Sequence, residues 1–192
     1  LDVKHIFLDM DGVLCNLYES FFGLRGESNL SLLMPLDKLH QLFNDRGPEY
    51  WEPAMAEGWE FWADLEPFPW VPELWQWANE QAPVTICSRP LAGRDFPDEC
   101  TGNCVRGKQA WLRGQFGDDF EEIVYTRRKH LVAQPGVVLI DDDDIYVDAF
   151  TENSGRVITF PQPYNSACEH AADPLTYVKQ QFEILLEKHR WN

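Results

Sequence analysis

Two carboxylates set one residue apart, Asp9 and Asp11, close the run Val3-Lys4-His5-Ile6-Phe7-Leu8, and Gly12 follows them directly. Side chains alternate along an extended chain, so the two acids point the same way and Met10 points elsewhere. Acids aimed alike at the end of a buried strand can share a divalent cation. The competing reading is a strand that stops in an acidic turn. Asp-x-Asp-Gly also opens calcium loops, but Val13, Leu14 and Cys15 offer no further oxygen ligands. A second acidic group, Asp141-Asp142-Asp143-Asp144, follows the all-apolar Val137-Val138-Leu139-Ile140. Four adjacent carboxylates repel one another; they suit either a solvated loop or a site where a cation offsets Asp141 and Asp142, and the strand end favours the cation.

Groups suited to an anion stand at two other strand ends. Pro83-Val84-Thr85-Ile86-Cys87-Ser88 ends in a hydroxyl and runs into Arg89-Pro90, and hydroxyl, guanidinium and turn together suit a phosphate. Arg127-Arg128-Lys129, the one run of three consecutive basic residues, follows the strand expected over 122–126. Cations are unfavourable at a helix start unless an anion sits there too, which favours a functional role for one of the three.

Such residues need a scaffold that brings their strand ends together. Strands expected over 3–8, 83–88, 122–126, 137–140 and 156–160 alternate with helices. One helix starts after Pro72, a second covers 105–115 with Trp111 and Leu112 inward after a loop over 91–103, and a third covers 174–189 with Leu175, Val178, Phe182 and Leu185 on one face. This order predicts an α/β fold, a Rossmann-like doubly wound parallel sheet whose ligands bind beyond the carboxyl ends of the strands. Asp9, Asp11, Ser88, Lys129, Asp141 and Asp142 all fall at that rim. Residues 16–66 instead carry helical spacing, as at Leu32, Leu36, Leu39 and Leu42, broken by Asn44, Gly47 and Pro48. The chain therefore divides into a core of residues 1–15 and 72–192 and a helical insertion of residues 16–71. Six of the eight tryptophans lie between 51 and 77. Trp75 and Trp77 read as core residues of their helix, whereas Trp59, Phe61 and Trp62 would suit a wall for a planar substrate such as a nucleobase.

A length of 192 residues suffices for one core with a modest insertion. Thirty-two acidic against 16 basic residues leave a net charge of −16, which argues against a nucleic-acid polymer or an anionic membrane as partner. No apolar stretch reaches the length of a membrane span, and Asp9 and Asp11 interrupt the first apolar run before it could serve as a signal-peptide core, so a cytoplasmic location is expected. Five cysteines at irregular spacing imply no disulfide framework, and Cys100 and Cys104 are expected to be free thiols.

In this order, Asp9-Met10-Asp11-Gly12-Val13, the strand-end Ser88, Lys129 and Asp141-Asp142 resemble the motifs of the haloacid dehalogenase superfamily of phosphotransferases. Phe61-Trp62-Ala63-Asp64-Leu65-Glu66-Pro67, Ile86-Cys87-Ser88, Thr126-Arg127-Arg128-Lys129 and Leu139-Ile140-Asp141-Asp142 look like the 5′(3′)-deoxyribonucleotidase branch. The resemblance implies a sheet order of 5-4-1-2-3 and a small helical cap inserted after the first strand. It implies Asp9 as nucleophile forming an aspartyl-phosphate, and Asp11 as general acid and base. Magnesium would be held by Asp9, the carbonyl of Asp11 and an acid of the Asp141-Asp142 pair, with Asp142 the closer match. Ser88 and Lys129 would bind the phosphate, and Trp62 would stack on a base beside Phe61. Arg89 replaces a small hydroxyl residue of that branch and would grip the phosphate or reach towards the base. Asn16, Leu17 and Trp70 also depart from its pattern. The implied partner is a small phosphate ester, a nucleoside monophosphate first; the oligomeric state stays open, with a homodimer one option.

Overall fold

The computed structural model describes residues 2–28, 30, 34–93 and 95–188. Strand β1 (His5–Leu8) is followed by a helical stretch: α1 (Leu17–Leu24), α2 (Leu36–Arg46), a 3-10 turn (Pro48–Trp51), α3 (Glu52–Ala56), α4 (Glu60–Ala63) and α5 (Val71–Gln81). Then come β2 (Val84–Ser88), α6 (Asp98–Phe116), β3 (Ile123–Tyr125), a 3-10 turn (Lys129–Val132), β4 (Val137–Asp141), α7 (Tyr146–Glu152), β5 (Arg156–Thr159) and α8 (Pro174–Lys188). The spacing partner Leu32 and residue 189 of the closing helix lie outside the described residues.

The five strands are parallel and lie in the order β3-β2-β1-β4-β5, which is 5-4-1-2-3 counted from the other edge. Ile6 pairs with Val84 on one side and with Val138 on the other, so β1, β2 and β4 end level with one another. A strand apolar on both faces must be covered on both. Ile6, Leu8, Ile86, Val138 and Ile140 join Leu74 and Ala78 of α5 and Val178 and Phe182 of α8 in one core cluster. Phe7, Cys87, Val137 and Leu139 meet Tyr146 and Phe150 of α7 in another. Strand order reverses between β1 and β4, the crevice in which such sheets bind ligands.

Where the helical stretch leaves and rejoins the sheet, its two ends run side by side. Asn16 N–H donates to Glu66 O at 3.0 Å and Phe68 N–H to Leu14 O at 2.9 Å. Trp75 and Trp77 are half-buried core partners, Trp75 stacked on Phe116 at 4.3 Å and Trp77 edge-on to Phe182 at 5.2 Å. Helix α6 starts at Asp98, seven residues before the expected Val105. Thr101, Gly102 and Asn103 are weak helix formers, but Asp98 and Glu99 in the first turn favour the positive end of the helix dipole.

Helix α6 approaches α4 so closely that a Cβ built on Gly107 would lie 2.2 Å from Trp59 O and 2.5 Å from Trp62 Cβ. Gly102 and Gly114, on the exposed side of the same helix, have nothing within 4 Å. Alanine should therefore act with opposite signs along one helix. Gly107→Ala is expected to destabilise by about 1–3 kcal/mol through overpacking, while Gly102→Ala stabilises by roughly 0.5–1 kcal/mol. Urea unfolding of the two variants measures both.

Candidate active site

Beyond β1 the chain turns at once: Leu14 N–H and Cys15 N–H donate to Met10 O at 2.8 and 3.1 Å. Gly12 lies at φ +76°, and a Cβ there would sit 2.1 Å from Asp142 Oδ2. Glycine is thus required twice at this position, for its backbone angle and for the acid pressed against it. The turn keeps Asp9 buried and leaves Asp11 partly exposed, both at the carboxyl rim.

Each acid meets a buried lysine. Lys129 Nζ lies 2.9 Å from Asp9 Oδ1 and donates to Asp141 Oδ2 at 2.5 Å. Lys108 Nζ donates to Asp11 Oδ2, to Ser88 Oγ at 2.8 Å and to Arg89 O at 3.0 Å. Burial pushes both ammonium groups towards losing their protons, but the acids beside them, Asp141 and Asp9 for Lys129 and Asp11 for Lys108, hold both above the ordinary lysine value. Lys129 starts its 3-10 turn against two anions, the condition that makes a cation acceptable there.

The run 141–144 is likewise supplied with donors. Asp141 Oδ1 accepts from Asp143 N–H at 3.0 Å, and Asp142 Oδ2 accepts from the Tyr164 hydroxyl at 2.5 Å. Asp143 approaches His40 Nε2 at 3.3 Å, and Asp144 accepts from Ser166 N–H at 2.9 Å. One oxygen each of Asp9, Asp141 and Asp142 lie within 4.8 Å of one another. Burial, and then their mutual repulsion, push Asp142 well above the usual carboxylate range; burial also raises Asp9, with Lys129 pulling it back in part. Among the described residues, Asp9 Oδ1 is the one buried side-chain nitrogen or oxygen outside hydrogen-bond geometry, and its ion-pair partner is Lys129 Nζ at 2.9 Å. With all four acids ionised, as a bound cation would favour, two lysines would leave two negative charges. Three buried carboxylates with one oxygen each in a common corner of that charge fit a divalent cation. Asp142 is the better donor of the pair, because both oxygens of Asp141 are already engaged.

A cleft of about 550 Å³ opens over this rim. Asp9, Asp11, Lys129 and Asp142 line it from the sheet, and Tyr18, Phe43, Trp51 and Trp62 from the helical stretch. Tyr18 and Phe43, Phe43 and Trp51, and Trp51 and Trp62 stand 6.0, 5.1 and 6.1 Å apart within 24° of parallel. The exposed Arg89 and Arg127 line the other side with Tyr146. Such a volume, acidic at one end and aromatic along a wall, suits a small phosphate ester carrying a ring.

A model of the family described as 5′ nucleotidase, deoxy (pyrimidine), cytosolic type C protein matches residues 3–181. The chain belongs to this family. Among solved structures, a haloacid dehalogenase-like family hydrolase from Streptococcus pneumoniae is similar at TM-score 0.53 and 16% identity, covering 92% of this chain and 91% of that one. A subfamily IA hydrolase of the same superfamily from Geobacter sulfurreducens aligns at TM-score 0.51 and 14% identity over 85% and 91%. A haloacid dehalogenase-like protein of unknown function from Agrobacterium tumefaciens aligns at 0.52 and 13% over 97% and 99%. These likenesses are of fold. Comparison with curated protein sequences returns no match. Family and fold agree: this member of a nucleotidase family shares its fold with haloacid dehalogenase-like hydrolases.

Of the residues singled out in the sequence, Asp9, Asp11, Lys129, Asp141 and Asp142 converge on one corner, and Arg89 and Trp62 line the cleft above it. Ser88 is fully buried beneath, held by Lys108. Phe61 does not line the cleft; it supports Trp62 edge-on at 4.9 Å. Trp59 faces Arg106, whose guanidinium lies 4.2 Å from its ring centroid, and Trp70 donates to Val13 O at 2.8 Å. Sequence reasoning missed Lys108, although it stands four residues before Leu112 and so on the same inward face. It also missed Tyr18, Phe43, Trp51 and Tyr164, whose convergence has no local signature.

Among the described residues all five cysteines are free thiols, and Cys15, Cys87 and Cys104 are buried. Burial pushes Cys87 up to about 12 and raises Cys15 and Cys104 too. At pH 8 the folded, reduced protein should react rapidly with an aromatic disulfide reagent at the exposed Cys168 and more slowly at Cys100. The other three should react only on denaturation. Mass mapping of the labelled thiols reads this out.

Proposed function

We propose that the protein is a magnesium-dependent cytoplasmic phosphomonoesterase that hydrolyses nucleoside monophosphates, deoxyribonucleotides first, through an aspartyl-phosphate, with residues 16–71 as its cap. The observation that carries this reading is the convergence of Asp9, Asp141 and Asp142, one oxygen of each within 4.8 Å of the others, at the foot of a cleft with one aromatic wall. Held by Asp9, Asp142 and the carbonyl of Asp11, with Asp141 beside them, magnesium would supply positive charge that lets an anionic nucleophile meet an anionic phosphate.

The protein's own groups do the rest. Asp9 attacks phosphorus and forms the acyl phosphate, which splits one difficult displacement by water into two steps. Asp11 protonates the departing ribose oxygen and then takes a proton from the attacking water. Lys108 fixes the Asp11 carboxylate and orients the Ser88 hydroxyl, so the proton carrier and a phosphate donor share one anchor. Lys129 offsets charge on Asp9 and the incoming phosphate. Arg89 reaches the ester from the open side, and Trp62, backed by Phe61, faces the base.

Phosphate release from a panel of deoxyribo- and ribonucleoside 5′- and 3′-monophosphates and sugar phosphates tests the proposal. Turnover confined to nucleotides and abolished by excess chelator or by Asp9→Asn is expected; turnover of sugar phosphates alone would discard the base pocket. Trp62→Leu should raise KM for nucleotides about tenfold or more, the scale of one base stacked on an aromatic ring, and leave acetyl phosphate little changed. Lys108→Met should lower kcat by roughly 10²-fold or more, the scale of a general acid–base contribution, with a smaller change in KM. A kcat near wild type would remove Lys108 from the mechanism.

A further inference from the structure

The segment Phe160-Pro161-Gln162-Pro163-Tyr164-Asn165 lies after the last strand, far in sequence from every residue given a role above. It nevertheless holds both acidic turns. Gln162 Nε2 donates to Gly12 O at 2.5 Å, and Asn165 Nδ2 donates to Asp142 O at 2.9 Å and to Phe160 O at 2.7 Å. Tyr164 does more than either. Its buried hydroxyl donates to Asp142 Oδ2, its carbonyl accepts from Leu36 N–H at 2.6 Å at the first residue of α2, and its ring meets Tyr18 edge-on at 5.1 Å and 89°. Tyr18 and, through α2, Phe43 belong to the aromatic wall of the cleft. One side chain therefore touches the acidic corner and the ring-binding wall together.

We infer that Tyr164 is a positioning residue that couples the two halves of the site, so that a divalent cation at Asp142 and a planar ring against Tyr18 bind each other's form of the protein more tightly. The inference rests on the reading of the Asp9-Asp142 corner as a cation site. The hydroxyl holds one oxygen of Asp142 and leaves the other to face a cation, and partners of metal-binding carboxylates set ligand orientation and affinity. The ring and carbonyl fix Tyr18 and the start of α2, which set the width of the slot for the ring. A movement at either end is felt at the other because the buried Tyr164 is held at its hydroxyl, ring and carbonyl at once. Coupling of this kind is reciprocal: a nucleoside that tightens the cation must itself be tightened by the cation to the same factor.

The test is calorimetric titration of magnesium chloride into the full chain, without and with saturating deoxyuridine, which carries the ring but no phosphate. The wild type should bind magnesium severalfold more tightly with the nucleoside present, and Asp142→Asn should not bind it. Tyr164→Phe keeps the ring and removes the hydroxyl; it should lose about 10–100-fold in magnesium affinity, the range seen when a ligand's hydrogen-bond partner is removed, and lose the nucleoside's enhancement. Tyr18→Leu leaves the Tyr164 to Asp142 bond in place and should still bind magnesium while losing the enhancement. Near-ultraviolet circular dichroism checks that each variant is folded. Wild-type binding with an unchanged Tyr164→Phe overturns the role of Tyr164 alone, as does a Tyr18→Leu variant that keeps the enhancement. Wild-type protein that takes up no magnesium overturns the cation reading and this inference with it.

Discussion

Four carboxylates gathered at the end of a parallel sheet, with water mostly excluded, are the constraint around which the molecule is arranged. Burial drives Asp9, Asp141 and Asp142 towards taking up a proton. Two lysines carried in from separate elements, Lys108 on α6 and Lys129 at the turn after β3, oppose this in part: Lys129 pairs with Asp9 and Asp141, and Lys108 with Asp11. Buried pairs of this kind are poor contributors to net stability but severe to break, because removing either partner strands the other in a dry setting. The arrangement therefore specifies geometry more than it adds stability, and geometry is what a displacement at phosphorus needs.

Much of the surrounding architecture follows from keeping those pairs in place. Gly107 lets α6 approach α4 until Lys108 lies 5.5 Å from the centroid of the Trp62 ring, so the cation that serves the acids also borders the aromatic wall. Gly12 gives up a side chain so that Asp142 can press against the first turn. Tyr146 of α7 covers Lys129, with the ammonium 4.7 Å from its ring centroid. Acidic end and aromatic wall are thus built from shared residues and cannot be shifted independently.

The sheet was legible in the sequence because its strands are short, apolar and bounded by turns, and because chemistry-bearing residues collect at their carboxyl ends. The expected strands over 83–88 and 137–140 differ from β2 and β4 by a single residue. The start of α6 was not legible, since Thr101, Gly102 and Asn103 are weak helix formers and their helix is held by packing and by the acids of its first turn. At the site, carboxylates and Lys129 stood out by their place after strands. Lys108 lay in plain view on an inward face, yet a lysine on a helix is ordinarily solvated. The rings of Tyr18, Phe43, Trp51 and Tyr164 come from four separate segments, and only the fold makes neighbours of them.

The paired ends of the helical stretch carry a last consequence. Residues 14–16 and 66–68 run alongside each other at hydrogen-bonding distance, so everything between them leaves and returns through a gap of one strand spacing, about 5 Å. In sequence, the acidic rim of the sheet and the aromatic wall above it are joined at a doorway this narrow. Away from that doorway the stretch is fastened again, by Gly107 against Trp59, by Trp111 Nε1 on Leu65 O and by Leu36 N–H on Tyr164 O, so it cannot swing on its two ends as a hinged flap would.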